Sequence, residues 1–488
     1  MVDYSSLDTY VACPADVCTE TSYSGNVYTF NVSHWTSFAA QETPPIPETV
    51  SPSGTFVINA TNQTRYGFNA GTFFATLFNF TAPIINITAG NNTGNFTSQI
   101  IDVGHAVTWK NVSWKSSPIG ELPNFRNDSI QDAQQHYVNM SDLLLLMHFN
   151  NDAAFGESTS WAYDFSGRGH NGDITSVSPG GLFTSTTKLG NHSIFFTSSE
   201  SDRVSINDTT SFGMIDHMTM SIWIRPTGLI DFERIWVKPH TSNDPPYSLW
   251  GLDLDNTAGA RKVDFSISSG GVGATATSTT RVPVDTWMHV AGTYNGTTVV
   301  VYVNGKREAA TAKTGVIDTN SQPVDIAYNR VFTSQHFQGF MDEAALWNRT
   351  LSDDEILRLY ERGIHTLNLT GVRSCDDAAC SGESMTEFNT TVSPQTLSIA
   401  DNRYFQYQLQ MGTENITYTP ELYNFSIGTD EPAPTPNVTN VTLTKIDLSD
   451  PVTIGTLLNY TVTINNTGTD TAYNLTLTDT YDANVTFS

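Results

Sequence analysis

Four acidic residues, Asp253, Asp255, Asp342 and Glu343, stand where hydrolytic chemistry could be sought. Glycosidic hydrolysis needs two carboxyl groups about 5 to 10 Å apart, one to give a proton and one to attack or to activate water. The pattern argues against that use. Asp253 and Asp255 alternate onto one face of an apparent strand, where solvated acids are the common case. The sequence contains no G-x-S-x-G elbow, H-E-x-x-H pair or phosphate loop, and its 11 His are scattered. The chain reads as non-enzymatic.

Two other residue types carry chemistry of a different kind. The four Cys form two C-x4-C pairs, Cys13 with Cys18 and Cys375 with Cys380. Each can close a short disulfide loop worth about 2 kcal/mol in an oxidising compartment. Zinc is the rival reading, but structural zinc sites prefer C-x2-C knuckles, so disulfides are expected. Asn-x-Ser/Thr sequons number 24, where 38 Asn and 111 Ser plus Thr in 488 residues predict roughly nine by chance. They fall before the central region at Asn31, Asn59, Asn62, Asn79, Asn86, Asn91, Asn95, Asn111, Asn127 and Asn139. They continue at Asn191, Asn207, Asn295 and Asn348, then at Asn368, Asn389, Asn415 and Asn424. The last six are Asn437, Asn440, Asn459, Asn465, Asn474 and Asn484. A taste for turns and strands explains part of this excess; N-linked glycans on an extracellular, cell-surface protein explain the rest.

The whole composition bounds the possibilities. Lys plus Arg is 23 and Asp plus Glu is 49, a net charge of −26, so phosphate backbones are repelled and no nucleic-acid partner is expected. No apolar run reaches about 18 residues, so no transmembrane segment is expected, and no amino-terminal segment reads as a secretion signal. Only 15% of residues are charged; the polarity lies in Ser, Thr and Asn, which suit the solvent face of sheets.

The elements follow from periodicity. Ser352-Asp353-Asp354-Glu355 is a capping box opening one amphipathic helix, with Ile356, Leu359 and Tyr360 on its apolar face and an end near Gly363. Almost everything else alternates with period two, as in Thr219 to Ile224, Val299 to Val303 and Leu457 to Ile464, punctuated by Asn295-Gly296 and Asn304-Gly305 hairpin turns. The expected fold class is all-β, a multi-domain string of β-sandwiches. Prolines mark linkers at 41–52 and, most clearly, at 429–437.

Between 142 and 364 a series of motifs runs in order: Asp164-Phe165-Ser166-Gly167-Arg168-Gly169, Ser221 to Pro226, Trp287 to Gly296, Val301 to Gly305, Gly339 to Ala344 and Leu351 to Ile356. Together they resemble the concanavalin A-like, laminin-G-like jelly roll. The resemblance implies two curved antiparallel sheets with the helix as a closing element. Residues 47–141 and 365–428 resemble two halves of one prokaryotic envelope β-sandwich interrupted by that insertion. Residues 1–46 read as the last strands of a further sandwich plus linker. Residues 438–488 resemble an incomplete immunoglobulin-like repeat, with Lys445 the residue that an intramolecular amide would use. Both ends are expected to be completed by strand pairing with something outside residues 1–488.

Within the resemblance, Ca2+ is the implied structural ion, with Asp164, Asn171 and Asp342 as candidate ligands. The alternative for the same residues is that Asp164 caps a turn and that Asp342 or Glu343 bonds backbone amides. Lectin-like jelly rolls imply sugar stacking, for which Trp236, Tyr247 and Trp250 are candidates, although alternation suits Trp236 and Trp250 at least as well in the core. The leading functional expectation is a structural glycoprotein of an archaeal-type S-layer, sheath or filament, partnered by other copies or an adjoining surface chain. The alternative is an adhesin or lectin whose jelly roll binds glycans.

Overall fold

The structure, a computed structural model, describes residues 68–429 except 80–83, 125–137, 176–181, 199–200, 209–211, 214–215, 229–231, 243, 257–258, 332–334 and 392; outside that range it describes strands alone, between 2 and 59 and between 441 and 480. The chain is all-β, built from several packed antiparallel sheets. Alternation explains the individual strands: in Lys262–Ser269, Val263, Phe265 and Ile267 point inward while Asp264 and Ser266 do not.

Two eight-stranded sheets form the central jelly roll. One carries, in order, Trp161–Ala162, Gly172–Thr175, Arg203–Ile206, Val324–Ile326, Glu233–Pro239, Ser248–Asp255, Lys262–Ser269 and Val272–Arg281. The other is centred on Gly339–Trp347, Met218–Pro226 and Met288–Tyr294. Trp236, Trp250, Phe265 and Ile222 meet in the core between them.

The strand Met218–Pro226 of this second sheet is buried on both faces, with only Arg225 partly exposed. Its outer face is covered by the helix Asp353–Ile364, which presents Ile356 and Leu359 to Val300 and Trp347, and Tyr360 to Trp223. The capping box is formed: Glu355 N–H donates to Ser352 Oγ at 3.2 Å and Ser352 N–H to Glu355 Oε2 at 2.9 Å. Gly363 lets the helix lie flush on the sheet, since a Cβ there would come within 2.3 Å of the Trp223 ring.

Strands before and after the jelly roll interleave in one further sandwich. Asn402–Thr413 lies between Thr93–Thr97 and His365–Cys375, and Glu421–Thr429 pairs along Trp109–Ser116. Its core contains Phe96, Trp109, Val112, Phe405, Tyr407 and Phe425. The helix runs directly into His365–Cys375, and Glu414 N–H donates to Ile364 O at 3.0 Å where the two bodies meet.

The outermost strands pair with each other. Val27–Val32 pairs with Tyr460–Asn466, and Ser37–Glu42 with Leu475–Thr480. Edges expected to be completed from outside residues 1–488 are therefore met in part by the opposite end of the same chain. A ladder needs only opposed amides and carbonyls, and both ends supply alternating strands. A disulfide joins Cys375 and Cys380; the side chains of Cys13 and Cys18, and that of Lys445, lie outside the described residues.

Candidate functional site

Asp164 is the turn cap of the two readings its sequence context allows. Its Oδ1 accepts from Leu146 N–H at 3.1 Å and Ser166 N–H at 2.9 Å, and its Oδ2 from Ser166 Oγ and His170 N–H, both at 2.8 Å. Asn171 Oδ1 accepts from Asp164 N–H at 2.8 Å. With four donors on its two oxygens, Asp164 has its acceptor positions filled and does not fit a calcium shell, which needs free oxygens. Asp342 Oδ2 accepts from Lys188 and Leu189 N–H at 2.9 and 3.0 Å. Burial above all, and then the charge of Glu343, hold the Asp342 carboxyl well above the usual range.

The structure instead gathers Glu121, His148 and Glu343, whose ligating atoms lie within 4.8 Å of one another. His148 Nδ1 is 2.5 Å from Glu343 Oε1 and Nε2 is 2.9 Å from Asn124 Oδ1. Both ring nitrogens thus face oxygens, an arrangement that suits an imidazolium. Burial by itself would lower its pKa, but the charge and hydrogen bond of Glu343 raise it to about 9. Burial, followed by the Glu343 charge, pushes Glu121 up to about 7. The group ties segment 121–124 to the first and last strands of the jelly roll. Sequence reasoning singled out Glu343 but missed Glu121 and His148, which are far apart in the chain and share no local motif.

The outer face of the other eight-stranded sheet is polar and lined with ion pairs. Arg234 donates to Asp253 Oδ2 at 2.7 Å and to Gln335 Oε1 at 2.8 Å. Arg330 forks onto Asp325 at 2.6 and 2.8 Å, and Ser205 donates to the same carboxylate at 2.7 Å. Lys238 bonds Asp208 and the carbonyl of Gln322. Asp253, expected to be solvated, is only 5% exposed, and it faces Asp264 in register across the ladder. Burial chiefly, with the Asp253 charge adding and a Thr277 hydrogen bond opposing, pushes Asp264 up to about 6. These charged groups are buried, Asp325 completely and Lys238, Asp253 and Arg234 at 2 to 8% exposed, so they pair with one another rather than face solvent.

The three candidate stacking aromatics separate cleanly. Trp236 and Trp250 are in the core, whereas Tyr247 is 43% exposed on a rim loop. The jelly-roll sequon residues Asn191, Asn207, Asn295 and Asn348 are all exposed. Asn86, by contrast, is half-buried, with its Oδ1 buried.

A family described as the concanavalin A-like lectin/glucanases superfamily matches residues 198–357. That match supports the jelly-roll fold that the two packed sheets form in the central region. No curated protein matches the chain by sequence. Among solved structures, domain 4 of AbnA, an extracellular arabinanase from Geobacillus stearothermophilus in complex with arabinotriose, is 18% identical with a TM-score of 0.35, covering 45% of this chain and 98% of that one. The binding domain of Paraclostridial Mosquitocidal Protein 1 is 16% identical with a TM-score of 0.36, covering 51% and 68%. Trypanosoma rangeli sialidase is 13% identical with a TM-score of 0.34, covering 48% of this chain and 34% of the sialidase. These are likenesses of fold alone.

Proposed function

We propose that the chain is an N-glycosylated cell-surface protein whose jelly roll binds carbohydrate without catalysis. The observation that carries this reading is the match of residues 198–357 to the concanavalin A-like lectin/glucanases superfamily. The sequon excess supports an extracellular setting. The burial of Asp253, 5% exposed and held through Oδ2 by Arg234, supports recognition over hydrolysis, since a nucleophile or general base must be reachable by its substrate. The test is a glycan array probed with the full chain, followed by incubation with whatever is bound. Binding without turnover is expected; no binding, or release of reducing ends, overturns the reading.

A second reading, assembly of copies into an S-layer, sheath or filament by strand pairing, is favoured by one feature. Thr72–Phe74 is an edge strand of the flanking sandwich, and Phe74 is 72% exposed. Exposed apolar edge strands are templates for pairing with another chain. Sedimentation at rising concentration is expected to show association that Phe74→Asp reduces; a concentration-independent monomer removes the reading.

A further inference from the structure

An open cavity of about 750 Å³ lies at one end of the jelly roll, where three loops converge. Its walls come from His240 and Thr241, from the hairpin tip Ser269-Gly270-Gly271, and from the segment Val316 to Asn320. The loops are fastened together by side chains. Asp318 accepts from Ser268 Oγ at 2.5 Å and from Gly270 and Gly271 N–H, both at 2.9 Å. Asn320 donates to Pro239 O at 2.8 Å and accepts from Gln322 N–H at 3.0 Å. A binding site held in place before the ligand arrives avoids the entropy of ordering loops on binding.

The lining has a definite chemistry. Leu249 and Ile317 form an apolar floor, and Val316, 56% exposed, stands at the mouth. Around them are the hydroxyls of Thr241, Ser269 and Thr319 and the Asp318 carboxylate. A carboxylate has about four acceptor positions, and the bonds to Ser268, Gly270 and Gly271 use three, leaving one for a ligand hydroxyl. Burial alone would raise the Asp318 pKa, but those three donors outweigh it and keep the group ionised. No Lys or Arg lines the cavity; nearby Lys313 donates to Ser269 O at 2.9 Å. A fixed negative charge with no cation in the lining disfavours sugar carboxylates and phosphates. The sequons nearest in sequence are Asn207, Asn295 and Asn348, so no residue of the lining carries a glycan of its own.

We infer that this rim cavity is the carbohydrate site, and that it takes a neutral sugar ring at the end of an oligosaccharide. The C–H face of the ring rests on the exposed Val316, and one hydroxyl donates to Asp318. This deepens the carbohydrate-binding reading and rests on it. Tyr247, the exposed member of the three candidate aromatics, belongs to the loop that supplies His240 and Thr241.

The test uses the full chain and titrates it calorimetrically with arabinotriose, cellotriose and mannotriose as neutral probes and sialyllactose as an acidic one. Variants Val316→Glu and Thr241→Trp fill or charge the mouth at exposed positions, so folding is preserved, and melting curves verify that. Thr275→Trp, on the outer face of the eight-stranded sheet, is the control. At least one neutral probe is expected to bind, with a tenfold or greater loss in both cavity variants and none in the control. Binding that survives both cavity variants, or is lost only in Thr275→Trp, overturns the cavity assignment while leaving carbohydrate binding intact. Binding of sialyllactose alone overturns the neutral class. No binding of any probe here, with none on the array, overturns this inference and the function it rests on.

Discussion

His148 sets both ring nitrogens against oxygens, beside Glu121, whose carboxyl burial pushes up to about 7. Its pKa is raised from 6.5 to about 9, so its contribution is fully present below pH 6.5 and is lost as pH rises toward 9. Glu121, raised from 4.5 to about 7, acts in the same sense: its contribution is full below 4.5 and gone above 7. Thermal stability is therefore expected to fall as pH rises across the range 4.5 to 9. His148→Gln should flatten the upper half of that profile. A melting temperature flat across this window in the parent protein would show that the imidazolium is not formed. At Asp164 the expectation concerns metal. Its oxygens accept from three backbone amides and a hydroxyl, so chelator should leave the melting curve unmoved. Asp164→Ala should cost about 3 to 5 kcal/mol in urea denaturation, because buried donors lose their acceptor.

The helix Asp353–Ile364 is the element through which the jelly roll is closed and then joined to the flanking sandwich. Gly363 is set against Trp223, and overpacking a buried contact costs roughly 1 to 3 kcal/mol. Gly363→Ala is expected to lower stability by that amount, read from the shift in urea midpoint at unchanged slope. Ser352→Ala removes the cap, worth about 1 kcal/mol, and the two losses should add only partly, since both act on one helix. This element was readable from residues 352 to 363 because a capping box and a 3.6-residue apolar period are local patterns. Its partner surface was not. Trp223 lies 140 positions before Gly363 (363 − 223), and period two does not say which face of a strand meets the core.

At the scale of the whole molecule, the ends are drawn together by the pairing of Val27–Val32 with Tyr460–Asn466. Deleting residues 438–488 should expose that ladder and raise self-association in sedimentation experiments; an unchanged profile would mean the edge is protected otherwise. Glycan mapping is expected to find Asn191, Asn207, Asn295 and Asn348 modified and the half-buried Asn86 poorly modified. Sequence alone decided the all-β class, the capped helix and the Cys375–Cys380 loop, because each is written in neighbouring residues as alternation, capping chemistry or close spacing. Tertiary structure alone decided that Trp236 and Trp250 are core, that Glu121, His148 and Glu343 meet, and that three loops enclose one cavity. Those facts depend on which faces pack and which distant segments are apposed, and the pleat repeats identically whichever way a strand is turned.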